Sequence, residues 1–170
     1  MRELLAVVLA AVRGPEAGHW SLARETTGQP VLAGPGAPAV SLAHREAWLA
    51  CALGSAGSLG VDIEVMQARD WAAVADSLFA ASERAWLLNA GGEERCRRGY
   101  RLWTLKEAFL KANGAAAGFP LTELVFDTDG RVVACPNRCG APQDWHSRHW
   151  QWSDAVSVAL VWSANHAVPA

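Results

Sequence analysis

Apolar and polar positions change period several times along this chain, and each change predicts an element. Residues 4–12 form an unbroken apolar run behind Arg2. It is shorter than the roughly 20 residues that span a bilayer, and it reads as a buried strand. Glu3 interrupts the basic start and no small-residue cleavage site follows, so a secretory leader is not expected. Residues 14–36 are rich in glycine and proline and read as turns around a strand at 19–23. Stretches 39–44 and 47–53 look extended, with a charged Arg45-Glu46 turn between them, and 54–58 forms a Gly/Ser loop. Asp70 caps a helix on which Trp71, Val74, Ala75 and Leu78 share one face. Ser82 caps a second helix. A third runs from about residue 93 to 113 and stops at Asn113-Gly114. Residues 121–127 and 131–135 pair around Asp129-Gly130, a hairpin signal. Residues 155–162 alternate and make the last strand. The pattern is α+β, with an antiparallel sheet packed with helices.

Two of these elements carry candidate chemistry. In Gly60-Val61-Asp62-Ile63-Glu64 the carboxylates alternate with β-branched residues, so both acids project from one face while Val61 and Ile63 enter the core. On the long helix, Trp103, Glu107 and Lys111 share a face, while Leu102, Leu105, Phe109 and Ala112 form a separate apolar stripe. Three carboxylates and two lysines suit a hard divalent cation and a diphosphate: Mg²⁺ prefers oxygen ligands completed by water and phosphate. Phosphoryl-type transfer is mostly positioning and charge neutralisation. Taken singly, each segment also suits a strand end in solvent or a surface helix pair.

Together and in this order, the two segments resemble the signature of the 4′-phosphopantetheinyl transferases. That family carries a G-[VI]-D-[IV]-E strand and, roughly forty residues later, a W-[ST]-x-K-E-[AS]-x-x-K helix; both stand here without a gap. Phe79, Glu83 and Leu87 match its intervening F-x-x-x-E-x-x-x-L stretch. Val40-Ser41-Leu42-Ala43-His44 sits where the larger, synthetase-serving members have F-N-[IL]-S-H-S, and Gly28-Gln29-Pro30 sits where they have G-K-P. The resemblance covers residues 28–162 and implies transfer of the phosphopantetheine arm of coenzyme A to a serine of an apo acyl or peptidyl carrier protein, dependent on Mg²⁺, with Mn²⁺ suiting the same oxygen ligands. Carried over by position, Asp62, Glu64 and Glu107 are the metal carboxylates. Glu107 is also the base, or orients a water that acts as one. Lys111 contacts the pantetheine-side phosphate. Lys106 helps to hold coenzyme A, although it lies about 100° from Glu107 around the helix. His44 bonds a diphosphate oxygen.

The chain departs from that pattern at Ser41, Ala43, Arg45 and Gln29. A neutral amide at 29 cannot give the charge-assisted bond of a lysine, a loss that Arg45 or Arg24 could offset in binding coenzyme A. The alternative reading is therefore a family member that binds coenzyme A or a carrier without transferring the arm. A third is an interaction module built on the tryptophan-rich C-terminal region. Larger members contain two similar halves, and smaller ones are single halves that trimerise. The motif order follows the larger type, with a shortened first half at 1–58 and a second half at 59–170 carrying the metal-site motifs in a single domain. A trimmed two-half monomer is expected, a homo-oligomer being the alternative.

Composition adds limits. With 170 residues, 51% apolar and 19% charged, the chain can bury one core. A formal net charge of −2 gives no case for nucleic acid, and no run is long enough for a membrane. Four scattered cysteines fit reduced thiols and a cytoplasmic setting. Cys135, Cys139, His146 and His149 depart from zinc-finger spacing, and no zinc is expected. Of the nine tryptophans, Trp145, Trp150 and Trp152 cluster late; they are read as core packing, the alternative being that they cover a sheet edge or line a cleft. Arg95, Arg97, Arg98 and Arg101 either steer an acidic carrier or form a solvated helix face.

Overall fold

The computed structural model describes residues 20–24, 28–55, 57–115 and 118–164; the strand expected at 4–12 lies outside them. Strands β1 (Ser21–Arg24) and β2 (Pro30–Ala33) pair, as do β3 (Ala39–Arg45) and β4 (Trp48–Gly54). Strand β5 (Ser58–Val65) leads to helices α1 (Trp71–Leu78), α2 (Ala81–Leu88) and α3 (Gly92–Asn113). A small hairpin of β6 (Val125–Phe126) and β7 (Val132–Ala134) follows, then β8 (His146–Trp152) and β9 (Val156–Ser163). All pairing is antiparallel, and the main sheet has the order β5-β9-β8. Among the described residues no helix is long and apolar enough to cross a membrane.

Alternation along β5 and β9 builds three layers. Gly60 on β5 and Ala159 and Val161 on β9 face α3, whose Leu102, Leu105, Phe109 and Ala112 are buried there. Val61, Ile63 and Val156 face the other way and pack with Ala43 of the β3–β4 hairpin. Burying a Leu or Phe contributes about 1.5–3 kcal/mol each, against roughly 0.3–0.5 for an exposed i,i+4 ion pair. Helix α3 is therefore held by its apolar stripe and not by Glu93–Arg97 or Glu94–Arg98 on its outer face. Gly114, at φ 63, ends it in the left-handed region. The residues that initiate α1 act as the sequence predicts, Asp70 accepting a hydrogen bond from the Ala73 N–H at 3.2 Å.

Four expectations need correction. Ser82 lies inside α2; the helix starts after Ala80, whose N–H donates to the Glu83 carboxylate at 2.8 Å. The first arm of the 121–135 hairpin is strand only at Val125–Phe126, because 121–123 coil into a 3-10 turn. Strand β8 has no predicted counterpart. Finally, Trp145 is core, its ring 4.4 Å from that of Phe109, but Trp150 and Trp152 on β8 are exposed.

Candidate active site

The shared boundary of β5 and α3 brings the acids of one element to the lysine of the other. Both backbones meet at Gly60, where a Cβ would stand 1.9 Å from the Ala108 carbonyl oxygen and 2.5 Å from the Ala112 nitrogen. Only glycine admits that approach. Two residues on, Asp62 meets Lys111, whose Nζ donates to Asp62 Oδ1 at 2.7 Å and to the Val61 carbonyl at 3.1 Å. On the free side of β5, the Val61 N–H donates to Ser41 Oγ at 3.0 Å. Ser41 thus fixes β3 against the strand that carries the acids.

Glu64 lies two residues beyond Asp62 on the same face. Arg45 Nε reaches its Oε2 at 3.1 Å, and Trp103 Nε1 donates to its Oε1 at 3.4 Å. Glu107 completes the group from α3. Burial pushes its carboxyl above the usual range, and the charges of Asp62 and Glu64 push it further, against the pull of Lys111. Asp62 is also raised, by burial first, with Lys111 opposing and Glu64 adding. The acids therefore sense one another in a place that water reaches poorly. Asp62 Oδ2 is buried with no hydrogen-bond partner among the described residues. Such an atom demands a compensating positive group.

This donor set fits a hard cation: oxygens only, an excess of negative charge, and an orphaned carboxylate atom. Among the described residues no three His, Cys, Asp or Glu side chains are already gathered as a metal cage. Lys111 and Arg45 instead engage Asp62 and Glu64.

The other sequence candidates separate. Gln29 arrives from the start of β2, its Nε2 donating to the Lys111 carbonyl at 2.9 Å. Gln29 and Lys111 line two adjoining clefts of about 370 and 240 Å³, which also share Pro30, Val40 and Leu59. Lys106 does not belong to the site, which corrects the expectation that it holds coenzyme A. Its side chain is fully buried and its Nζ bonds Glu83 at 2.7 Å and the carbonyls of Leu121 and Leu124. Burial presses its pKa down while Glu83 pushes back. Phe79, Glu83 and Leu87 thereby gain a role the sequence left blank: they pack and neutralise the buried side of α3.

Ser41, Ala43 and Arg45 form the face of β3 directed at β5, and strand alternation turns His44 to the other face, shared with Val40 and Leu42, where it is exposed. Cys139 is buried and His149 bonds Ser157 Oγ at 2.9 Å. Sequence reasoning missed the Trp103–Glu64 and Ser41–Val61 contacts, although Trp103 was placed on the correct face.

A family model described as the 4′-phosphopantetheinyl transferase superfamily matches residues 58–165. The 4′-phosphopantetheinyl transferase AcpT of Salmonella typhimurium is 35% identical over 78 residues, which is 45% of this chain and 41% of that protein. The 4′-phosphopantetheinyl transferase HetI of Nostoc sp. is 29% identical over 117 residues, 66% of this chain and 49% of that one. Among solved structures, the holo-acyl-carrier-protein synthase of Thermotoga maritima is 24% identical, with a TM-score of 0.48 and 62% of each chain covered. The chain spans about half the length of the curated relatives it matches.

Proposed function

The chain belongs to the 4′-phosphopantetheinyl transferase superfamily, and on that premise we propose that it moves the phosphopantetheine arm of coenzyme A onto a serine of an apo acyl or peptidyl carrier protein. The carrying observation is the gathering of buried Asp62 with the partly buried Glu64, Glu107 and Lys111, Asp62 Oδ2 having no hydrogen-bond partner among the described residues. In the reaction the serine Oγ bonds to the pantetheine-side phosphorus, the bond from that phosphorus to the bridging oxygen breaks, and adenosine 3′,5′-bisphosphate leaves. The serine proton goes to a carboxylate.

We assign Glu107 as the acceptor. Its raised pKa brings it closer to neutrality than an ordinary carboxylate, where a general base works best. Lys111 is the cationic residue lining both clefts, and it would steady the charge that develops on the phosphate oxygens. The clefts beside Gln29 would receive coenzyme A. Asp62, Glu64 and Glu107 would hold Mg²⁺, which when bound supplies further neutralisation of the diphosphate. On this reading residues 1–58 would be a shortened first half, of which β3 packs on the acid strand, and residues 59–170 would supply the reacting groups. The four cysteines are unpaired, which suits a reducing, cytoplasmic setting.

The test is intact-mass analysis of several apo carrier proteins incubated with the full chain, coenzyme A and Mg²⁺. A gain of one phosphopantetheine, abolished by chelator, is the expected result. No gain on any carrier, with coenzyme A binding still seen by calorimetry, replaces transfer with binding alone.

A further inference from the structure

Strand β8 ends the main sheet among the described residues, and its outer edge is long and regular. All seven residues pair in register with β9, from His146 opposite Trp162 to Trp152 opposite Val156, with no bulge. Alternate residues of such a strand point N–H and C=O groups away from the sheet. Natural edges are usually guarded by proline, lysine, bulges or inward charges. His146-Ser147-Arg148-His149-Trp150-Gln151-Trp152 contains no proline or lysine. Its guard is Arg148 alone.

The two faces of this edge differ in chemistry. On the face turned from α3, Trp150 and Trp152 are 48% and 66% exposed. Exposed aromatic pairs of this kind mark contact surfaces. On the α3 face, His149 and Gln151 form one wall of a cleft of about 320 Å³, whose other wall is Trp86, Glu94, Arg97, Arg98 and Arg101. Three guanidinium groups stand there against one carboxylate. Arg98 is braced by Glu94, the Trp86 carbonyl and the Trp86 ring. Arg101 donates to the neutral Thr128 carbonyl, and its charge is felt at His149. Arg97 is met by Glu93 and Asp154, both almost fully in solvent, and at 3.9 Å by the half-exposed Glu94, exposed pairings that contribute little.

His149 adds no charge to offset or reinforce this. Thr104 gives its hydroxyl proton to the Tyr100 carbonyl at 2.9 Å, since a carbonyl can only accept. Thr104 Oγ1 therefore accepts from Ser157, which in turn accepts from His149 Nε2. Burial, with Arg101 second, drops the His149 pKa to about 4, so the ring is neutral near pH 7.

We propose that β8 is a docking edge for an extended acidic segment of a partner protein, which adds to the sheet as a further strand. Its main chain would pair with β8. Because side chains alternate, acidic residues would reach Arg97, Arg98 and Arg101 on one face while apolar residues cover Trp150 and Trp152 on the other. Strand β5 lies two strands away, roughly 10 Å by ordinary strand spacing, so the added segment leaves the carboxylate site open. The inference is independent of the transfer reading.

The probe is a fluorescein-labelled peptide of repeated Val-Glu, titrated against the full chain by anisotropy. Saturable binding is expected, weakened by salt. Arg97→Glu with Arg101→Glu, and separately Trp150→Ser with Trp152→Ser, should each weaken it about tenfold or more, with circular dichroism confirming that the variants fold. A Val-Lys peptide should not bind, and N-methylation of alternate residues should abolish binding. Equal binding of the lysine peptide, undiminished binding of the methylated one, or no saturation overturns the proposal. So does sedimentation showing that the chain self-associates through Trp150 and Trp152, because the occupant is then a second copy.

Discussion

Glu83→Gln is the sharpest probe of how α3 is held. Lys106 and Glu83 form an ion pair whose side chains are 0% and 1% exposed. All three ammonium protons are used, on Glu83, Leu121 and Leu124. Glu83 also accepts from the Ala80 and Phe126 N–H groups, at 2.8 and 2.9 Å. The amide keeps the shape and removes the charge, leaving Lys106 with no counter-charge in the interior. Breaking one partner of a buried pair costs about 3–5 kcal/mol. For a chain of this size that lowers Tm by roughly 6–20 °C. Thermal melts followed by circular dichroism read this directly, with Lys106→Met expected to cost as much. The double variant Glu83→Leu with Lys106→Met removes both charges and should be milder than the sum of the singles. It stays below wild type because the two N–H groups lose their acceptor, at about 1–3 kcal/mol each. Singles within about 1 kcal/mol of wild type would refute the reasoning. A folded Lys106→Met with a raised KM for coenzyme A would return the lysine to the phosphate-binding role that its motif implies.

Three further outcomes follow from the site. Glu107→Gln should lower transfer by about 10²–10⁴-fold while raising the Tm of the metal-free protein, since it relieves a partly buried acid crowded by Asp62 and Glu64. Melts against pH test the linkage: Asp62 and Glu107 both have folded pKa values raised above their unfolded ones. The stability this gives is fully present below about pH 4 and lost as pH rises through the raised values, so Glu107→Gln should flatten the profile. Mg²⁺ should raise Tm more at neutral than at acid pH, because protons compete for the same oxygens, and Asp62→Asn should cancel the shift, as read by differential scanning fluorimetry.

The elements easiest to read in the sequence were those with one strong period and a defined stop. Helix α3 has an apolar stripe and a terminal glycine, and β5 alternates acid with β-branched residues. Strand β8 was hidden because its alternation is between polar and aromatic residues that both meet solvent, so no apolar face announced it. Which face of β3 carries His44 was not legible, because both faces are partly buried and alternation gives two faces without saying which meets β5. Lys106 was misread because a lysine beside Glu107 looks exposed in sequence; the sign of its burial was Glu83, twenty-odd residues earlier on another helix. The pairing of Asp62 with Lys111 was legible only as a shared tendency toward one site, since its distance is set by how closely β5 and α3 approach.

That approach has a consequence for how the site can change. At Gly60 the gap between strand and helix is closed by main chain on both sides, with the Ala108 oxygen 1.9 Å from where a Cβ would be. A cavity walled by side chains can be widened or narrowed one methylene at a time; this one has no such adjustment. The span from acid to lysine behaves as a fixed gauge. Redesign toward a bulkier anion or a larger cation therefore has to work at the rim, through Gln29, Ser41 or Arg45, while the gauge itself can be changed only by moving a whole helix.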